Sequence, residues 1–268
     1  MAGPAEQRAA ARARRMRPLL AGAALGFAVL APVLVLAGVI GIHAGVFGPR
    51  LGLGLMTLSL APLAALLGAV LGVVALLFAI LVPPRHAFVT PLAAILIGGG
   101  VSGCYALLHA RAAATPPIHD VATDWREPLA FTPKLMSARG TDADPVQPAP
   151  VAPGSGGAAG EPVAAINART CPAATPITLT QPVDAAYTLA KRALTGGGLG
   201  LVTDDRGAGV LEATATSTWF ALKNDIAARV RPEGAGSRVD LRAVGRLGVN
   251  DLGAGCALIT RVRRAIAG

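Results

Sequence analysis

At 268 residues, 53% hydrophobic and only 15% charged, the chain is too poor in charge for an ordinary soluble globular protein. A formal net charge of +9 would suit a nucleic-acid binder, but its distribution excludes that partner. Residues 1–110 hold 7 basic and 1 acidic residue, whereas 111–268 hold 17 basic and 14 acidic, so the excess is mostly a membrane-topology signal.

The first element is a basic tail, residues 1–18, with Arg8, Arg12, Arg14, Arg15 and Arg17. No acidic residue occurs between Glu6 and Asp120, and only Arg50 and Arg85 interrupt the apolar sequence from Pro18 to Ala110. Three runs result: Leu19 to Ile42, Leu51 to Val82 and Ala87 to Leu108. Each exceeds the roughly 20 residues that a helix needs to cross about 30 Å of hydrocarbon. None has the polar stripe of a soluble helix, and three in succession do not fit a cleaved signal peptide. Pro62 divides the long second run, which predicts a short interfacial or tilted lead-in over Leu51 to Leu60 and a crossing from Pro62 to Val82. Gly22-x-x-x-Gly26 and Gly68-x-x-x-Gly72 fit close helix contacts in lipid, within the bundle or in a homo-oligomer formed through it.

Positive residues beside a span stay in the cytoplasm, so the tail is expected inside. After three crossings of the inner membrane, everything beyond Arg111 is expected in the periplasm or outside the cell. His43, His86 and His109 lie at span ends, and with no carboxylate in 19–110 they do not make a proton relay. The expected role of 19–110 is that of an anchor or helix-packing platform in the bilayer.

The exported part opens with an extended segment, 111–140, because Pro116 and Pro117 forbid helix at its start. Residues 141–162 are rich in Pro, Gly and Ala and nearly free of large apolar residues, which predicts a flexible insertion. Over 163–268 the pattern is that of a small domain. Pro182 to Leu194 reads as a helix with Val183, Tyr187, Ala190 and Leu194 on one face, stopped by Gly196 to Gly198. Four strands are predicted over Leu199 to Thr203, Val210 to Thr218, Asp225 to Arg231 and Ser237 to Val244. In the third, Ile226, Ala228 and Val230 oppose Arg229 and Arg231, and in the fourth Val239, Leu241 and Ala243 oppose Arg238, Asp240 and Arg242, as in a half-buried antiparallel sheet. A closing helix capped by Asn250 or Asp251 has Leu252, Cys256, Ile259, Val262 and Ile266 on its inner face. The expected fold class is α+β, with two helices on one face of a four-stranded sheet.

Three blocks carry a family resemblance: "PPIHDVATD" (Pro116 to Asp124), "LEATATSTWFALKNDIAARV" (Leu211 to Val230) and "GSRVDLRAVGRLGVNDLGAG" (Gly236 to Gly255). In this order they resemble the bacterial domain-of-unknown-function 1499 family. The resemblance implies a domain placed after membrane helices or a lipoprotein-type signal, and it implies no activity and no catalytic residues. The segment Thr141 to Pro162 departs from the family pattern as an insertion, and "GGGLGLV" stands where a tryptophan commonly follows the glycine.

Two readings of the charged sheet face stay open. Arg229, Arg231, Arg238 and Arg242 could converge on a bound anion. Alternatively the face is solvated, with Glu212, Asp225 and Asp240 as cross-strand partners worth a few tenths of a kcal/mol each. His119 with Asp120 and Asp124, helped by Asp251 or Asp225, is the best constellation for an envelope hydrolase. His119 is the sole histidine after residue 110, so neither a metal centre nor a cofactor is expected. "GGGLG" (Gly196 to Gly200) lacks the lysine and following helix of a phosphate loop. The expected role is therefore a membrane-anchored envelope module that binds or scaffolds envelope proteins, lipids or glycans, with the hydrolase as alternative. Cys104 is expected as an isolated thiol in the third span. Cys171 and Cys256 both lie in the exported part, where a disulfide between them is permitted.

Overall fold

The structure, a computed structural model, describes residues 4–154, 158–248 and 250–268; the side chains of 4–11, 13 and 14, Arg8 and Arg14 among them, lie outside the described residues. The chain divides into two compact units, 1–110 with 219–221 and 111–218 with 222–268.

In the first unit, α1 (Pro4–His43) carries the helix back through the tail expected to precede it. The second apolar run is one continuous helical rod, contrary to the expected break at Pro62: a π-helical stretch, Arg50–Leu60, runs directly into α2 (Ala61–Leu81). Two features remove the break. Pro62 falls at the junction of the two helix types, where the Ala61 amide donates five residues back, to the Met56 carbonyl. The hydroxyls of Thr57 and Ser59 donate to the carbonyls of Gly52 and Gly54, five residues back, which suits the wider turn. α3 (Val89–Ala114) completes the unit. Three helices are thus long and apolar enough to cross a membrane, and the chain is a membrane protein. Small residues set the packing. A Cβ on Gly68 would lie 2.5 Å from the Ala28 backbone and one on Gly98 2.5 Å from the Ala65 carbonyl, whereas Gly22 and Gly26 meet nothing within 4 Å.

The second unit is α+β. Its sheet has six strands where four were expected: β1 (Asp120–Ala122), β2 (Ile177–Leu179), β3 (Gly200–Asp205), β4 (Val210–Thr216), β5 (Lys223–Glu233) and β6 (Gly236–Gly245). The order is β1-β6-β5-β4-β3, all antiparallel, with β2 sharing the β6 edge with β1. β1 and β2 are three residues each, too short to show a period of two. Four helices accompany the sheet rather than two: α4 (Pro133–Arg139), α5 (Val163–Thr170), α6 (Val183–Gly196) and α7 (Ala254–Ala267). The 111–140 segment, expected to be extended, therefore holds both β1 and α4. Thr132 caps α4 and Pro133 opens it.

The main core lies between the inner sheet face (Leu211, Ile226, Leu241) and α5, α6 and α7 (Ile166, Tyr187, Ile259). A disulfide joins Cys171, at the end of α5, to Cys256 on α7, with 5.8 Å between Cα atoms. α7 starts later than expected. The Asp251 carboxylate accepts from the amides of Gly253 and Gly255, and Leu252 stays exposed ahead of the helix. Of the predicted flexible insertion, residues 155–157 lie outside the described residues. The flanking chain is tied by an isolated Val151–Pro162 bridge, a bond from the Ala152 amide to the Glu161 carbonyl, and burial of Ala152.

Candidate functional site

The second face of the sheet decides the fate of the charged residues. Alternation along β4, β5 and β6 sends Glu212, Thr214, Asp225, Ala227, Arg229, Asp240, Arg242 and Val244 to the side away from α6 and α7. Over most of its area this face is covered rather than solvated. Leu129, Phe131 and Leu135 pack on Ala227 and Val244 as a second, smaller core. Asp225, Glu212, Asp240 and Arg242 are each 0–1% exposed.

Arg242 is buried in the middle of this layer. Its Nε and Nη2 clasp Asp120 at 3.0 and 2.6 Å, and its Nη1 and Nη2 donate to the carbonyls of Leu129 and Gln147. Trp125 lies over the guanidinium at 5.5 Å. Beside it, Asp225 receives Arg139 at 2.7 Å, Arg246 at 2.8 Å through both Nε and Nη2, and the Thr214 hydroxyl. Burial pulls the Arg139 pKa down against the pull of Asp225. Glu212 is held by neutral donors instead: the Thr132 amide and the hydroxyls of Thr132 and Thr203. These groups fasten the 120–147 segment onto the sheet. Arg242 is accordingly not part of an anion surface, and Asp120 and Asp225 are already committed to arginines.

Arg229, Arg231 and Arg238 do converge, at the open end of the same face. Arg231 and Arg238 are direct cross-strand partners, a like-charge pairing that is unfavourable alone. Carboxylates offset it: Asp240 contacts Arg229 at 3.1 Å, Arg231 at 3.3 Å and Arg238 at 2.7 Å, Asp124 contacts Arg238 at 2.5 Å, and Glu127 contacts Arg231 at 2.6 Å. Burial raises the Asp124 carboxyl, but the Arg126 amide and the Arg238 guanidinium outweigh it and hold the pKa below the usual value. Arg238 is held above its usual value because Asp240 and Asp124 outweigh burial. The charges of the cluster balance from within, the three arginines against Asp124, Glu127 and Asp240, so an anion would have to displace carboxylates.

The hydrolase constellation does not assemble. His119 and Asp120 are successive residues, and Asp120 turns onto the Arg242 side while Val121 enters the main core. Asp124 belongs to Arg238 and Asp225 to Arg139 and Arg246. Asp251 feels His119: burial pushes its carboxyl up, opposed by the Gly255 and Gly253 amides and by His119. Among the described residues, no three His, Cys, Asp or Glu side chains are grouped to hold a metal.

What remains open is a groove of about 450 Å³ beside the arginine cluster, lined by Thr123, Asp124, Trp125, Arg126, Ala164 and Arg238. Asn167 fixes its wall. Its Oδ1 accepts from the Ala122 amide at 2.9 Å and from Trp125 Nε1 at 3.0 Å, so the indole is held while Arg126 stays exposed. Trp125, Arg126 and Asn167 were not singled out from the sequence. The signal was the lone tryptophan between Asp124 and Arg126, immediately after the first family-like block. A wider concavity of about 870 Å³, along α7 by Thr115, Thr260 and Arg261, holds none of the expected Arg, His or Asp site residues.

No curated protein and no solved structure matches the chain. A family model described as "Protein of unknown function (DUF1499)" matches residues 120–266, which runs from the first residue of β1 to the last turn of α7 and takes in both faces of the sheet. The chain is a member of the DUF1499 family.

Proposed function

We propose that the protein is a membrane-anchored binding module of the cell envelope. The five N-terminal arginines support a cytoplasmic tail, and three crossings then put the folded unit in the periplasm or outside the cell. The Cys171–Cys256 disulfide supports an oxidising compartment. The ligand class we favour is an envelope glycan, bound in the Trp125 groove.

One observation carries this reading. The buried carboxylates are committed to structural partners, while Trp125 and Arg126 line a groove beside a rigid, self-neutralised charge cluster. A sugar ring offers an apolar C–H face that packs on an indole, and its hydroxyls pair with neutral or charged groups at the rim. A pre-positioned tryptophan with Asp124 and Arg126 beside it meets both needs.

The test uses the full chain in detergent with Trp219→Phe, so that Trp125 is the remaining tryptophan. Soluble oligosaccharides from the cell wall should shift its fluorescence saturably. Arg126→Ala should weaken binding while His119→Ala leaves it unchanged. A protein that binds no oligosaccharide, or binds them equally after Arg126→Ala, would overturn the assignment.

A further inference from the structure

Arg17 is 8% exposed near the start of the first apolar run. A guanidinium at this position ordinarily extends toward water and headgroups. Here it turns inward: Nη1 donates to the Pro84 carbonyl at 2.7 Å, in the loop between α2 and α3. Its Nε and Nη2 are buried and have no hydrogen-bond partner among the described residues. These are the same two nitrogens with which Arg242 clasps Asp120 and Arg246 clasps Asp225. In Arg17 the corresponding edge has nothing to hold. The sequence makes an internal carboxylate partner unattainable nearby, since no acidic residue occurs between Glu6 and Asp120. Leaving donors of a buried cation unmade is costly, so a partner from outside the chain is the economical solution.

The surroundings fit an anion with an apolar attachment. Arg17 lines a cavity of about 530 Å³ together with Gly22, Ala75, His86, Thr90 and Pro91. Thr90 lies in the first turn of the 26-residue α3, so a hydroxyl and the positive end of a long helix stand beside the guanidinium. His86 adds a further donor at the rim. Gly22 and Ala75 form a wall without bulky side chains. A Cβ on Gly22 would meet nothing within 4 Å, so this glycine leaves space rather than packing a helix.

We infer that this cavity is a phosphate-group site, with Arg17 gripping two phosphate oxygens through Nε and Nη2, and Thr90 and His86 completing the donor set. Planar two-point donation is what guanidinium offers to phosphate. The position among apolar helices makes a membrane phospholipid headgroup the nearest source, with glycerol against Gly22 and Ala75. The site is independent of the Trp125 groove, and either can fail without the other.

The full chain, purified in detergent, is extracted and its phospholipid quantified by mass spectrometry. In parallel, delipidated protein in phosphate-free buffer is titrated with inorganic phosphate and followed by phosphorus NMR. Retention of about one phospholipid per chain supports the site with lipid as its source. Saturable binding of inorganic phosphate without retained lipid supports the site with a soluble source. In either arm, Arg17→Gln should reduce binding by a factor of about 10 or more, as expected for losing charge-assisted bonds. Thr90→Val should weaken binding less, and Arg12→Gln, an exposed tail residue, should leave it unchanged. Wild-type protein that holds neither lipid nor inorganic phosphate overturns the inference. So does undiminished binding by folded Arg17→Gln, or, should that variant not fold, loss of binding by Arg12→Gln equal to that by Thr90→Val.

Discussion

Arg242 and Arg231 stand on one face of one β-hairpin, yet their removal should have very different consequences. Arg242 is 1% exposed and its loss strands Asp120, itself 4% exposed, without a counter-charge. Arg242→Ala should cost about 3–5 kcal/mol of stability, and the paired change Asp120→Leu with Arg242→Met should recover most of it. Arg231 faces the exposed Glu127, so Arg231→Ala should cost only a small fraction as much. Denaturant unfolding of the purified chain ranks the three variants, and equal losses for the two single alanine variants would contradict the buried layer. The carboxyls differ in their response to pH as well. Asp124 has a depressed pKa when folded, so its contribution is present above about pH 3.9 and is lost as pH falls through the depressed value. Asp251 has a raised pKa, so its contribution is present below that pH and is lost as pH rises through the raised value. In a carboxyl titration, Asp251 should take up its proton at higher pH than Asp124. Asp124→Asn should be destabilising at pH 7 and nearly neutral in strong acid, and a constant cost across pH would contradict the assignment.

At the scale of elements, the β5–β6 hairpin was the most legible part of the sequence. The alternation of Ile226, Ala228 and Val230 with charged neighbours fixed which residues enter the main core. The same alternation misled about the other face, because charge at most of the alternate positions ordinarily means water. What reverses it is a cover built from Leu129, Phe131 and Leu135, which sit in a proline-interrupted segment too irregular to show a period. The loop that carries Trp125 was illegible for the same reason: its position depends on Asn167, 42 residues away. The disulfide is the other long-range tie. It closes a separation of 85 residues and, under the chain-entropy model, contributes about 4–5 kcal/mol. Alkylation of the unfolded, unreduced chain should label Cys104 alone, and Cys256→Ser should lower the unfolding temperature markedly. Labelling of all three cysteines would refute the bond.

At the scale of the whole molecule, the sequence was explicit about the membrane and nearly silent about the ligand. Three apolar runs and a one-sided set of arginines are signals summed over many residues, and no single contact can reverse them. A binding groove depends on a few side chains brought together by the fold, and composition does not register it. The envelope role requires the folded unit to be presented on the far side of the membrane from the arginine tail. Fusing reporters to Gly268 tests this most directly. A C-terminal alkaline phosphatase should be active in intact cells and a C-terminal green fluorescent protein dark; a fluorescent fusion with an inactive phosphatase would contradict the three-crossing arrangement and the envelope role with it.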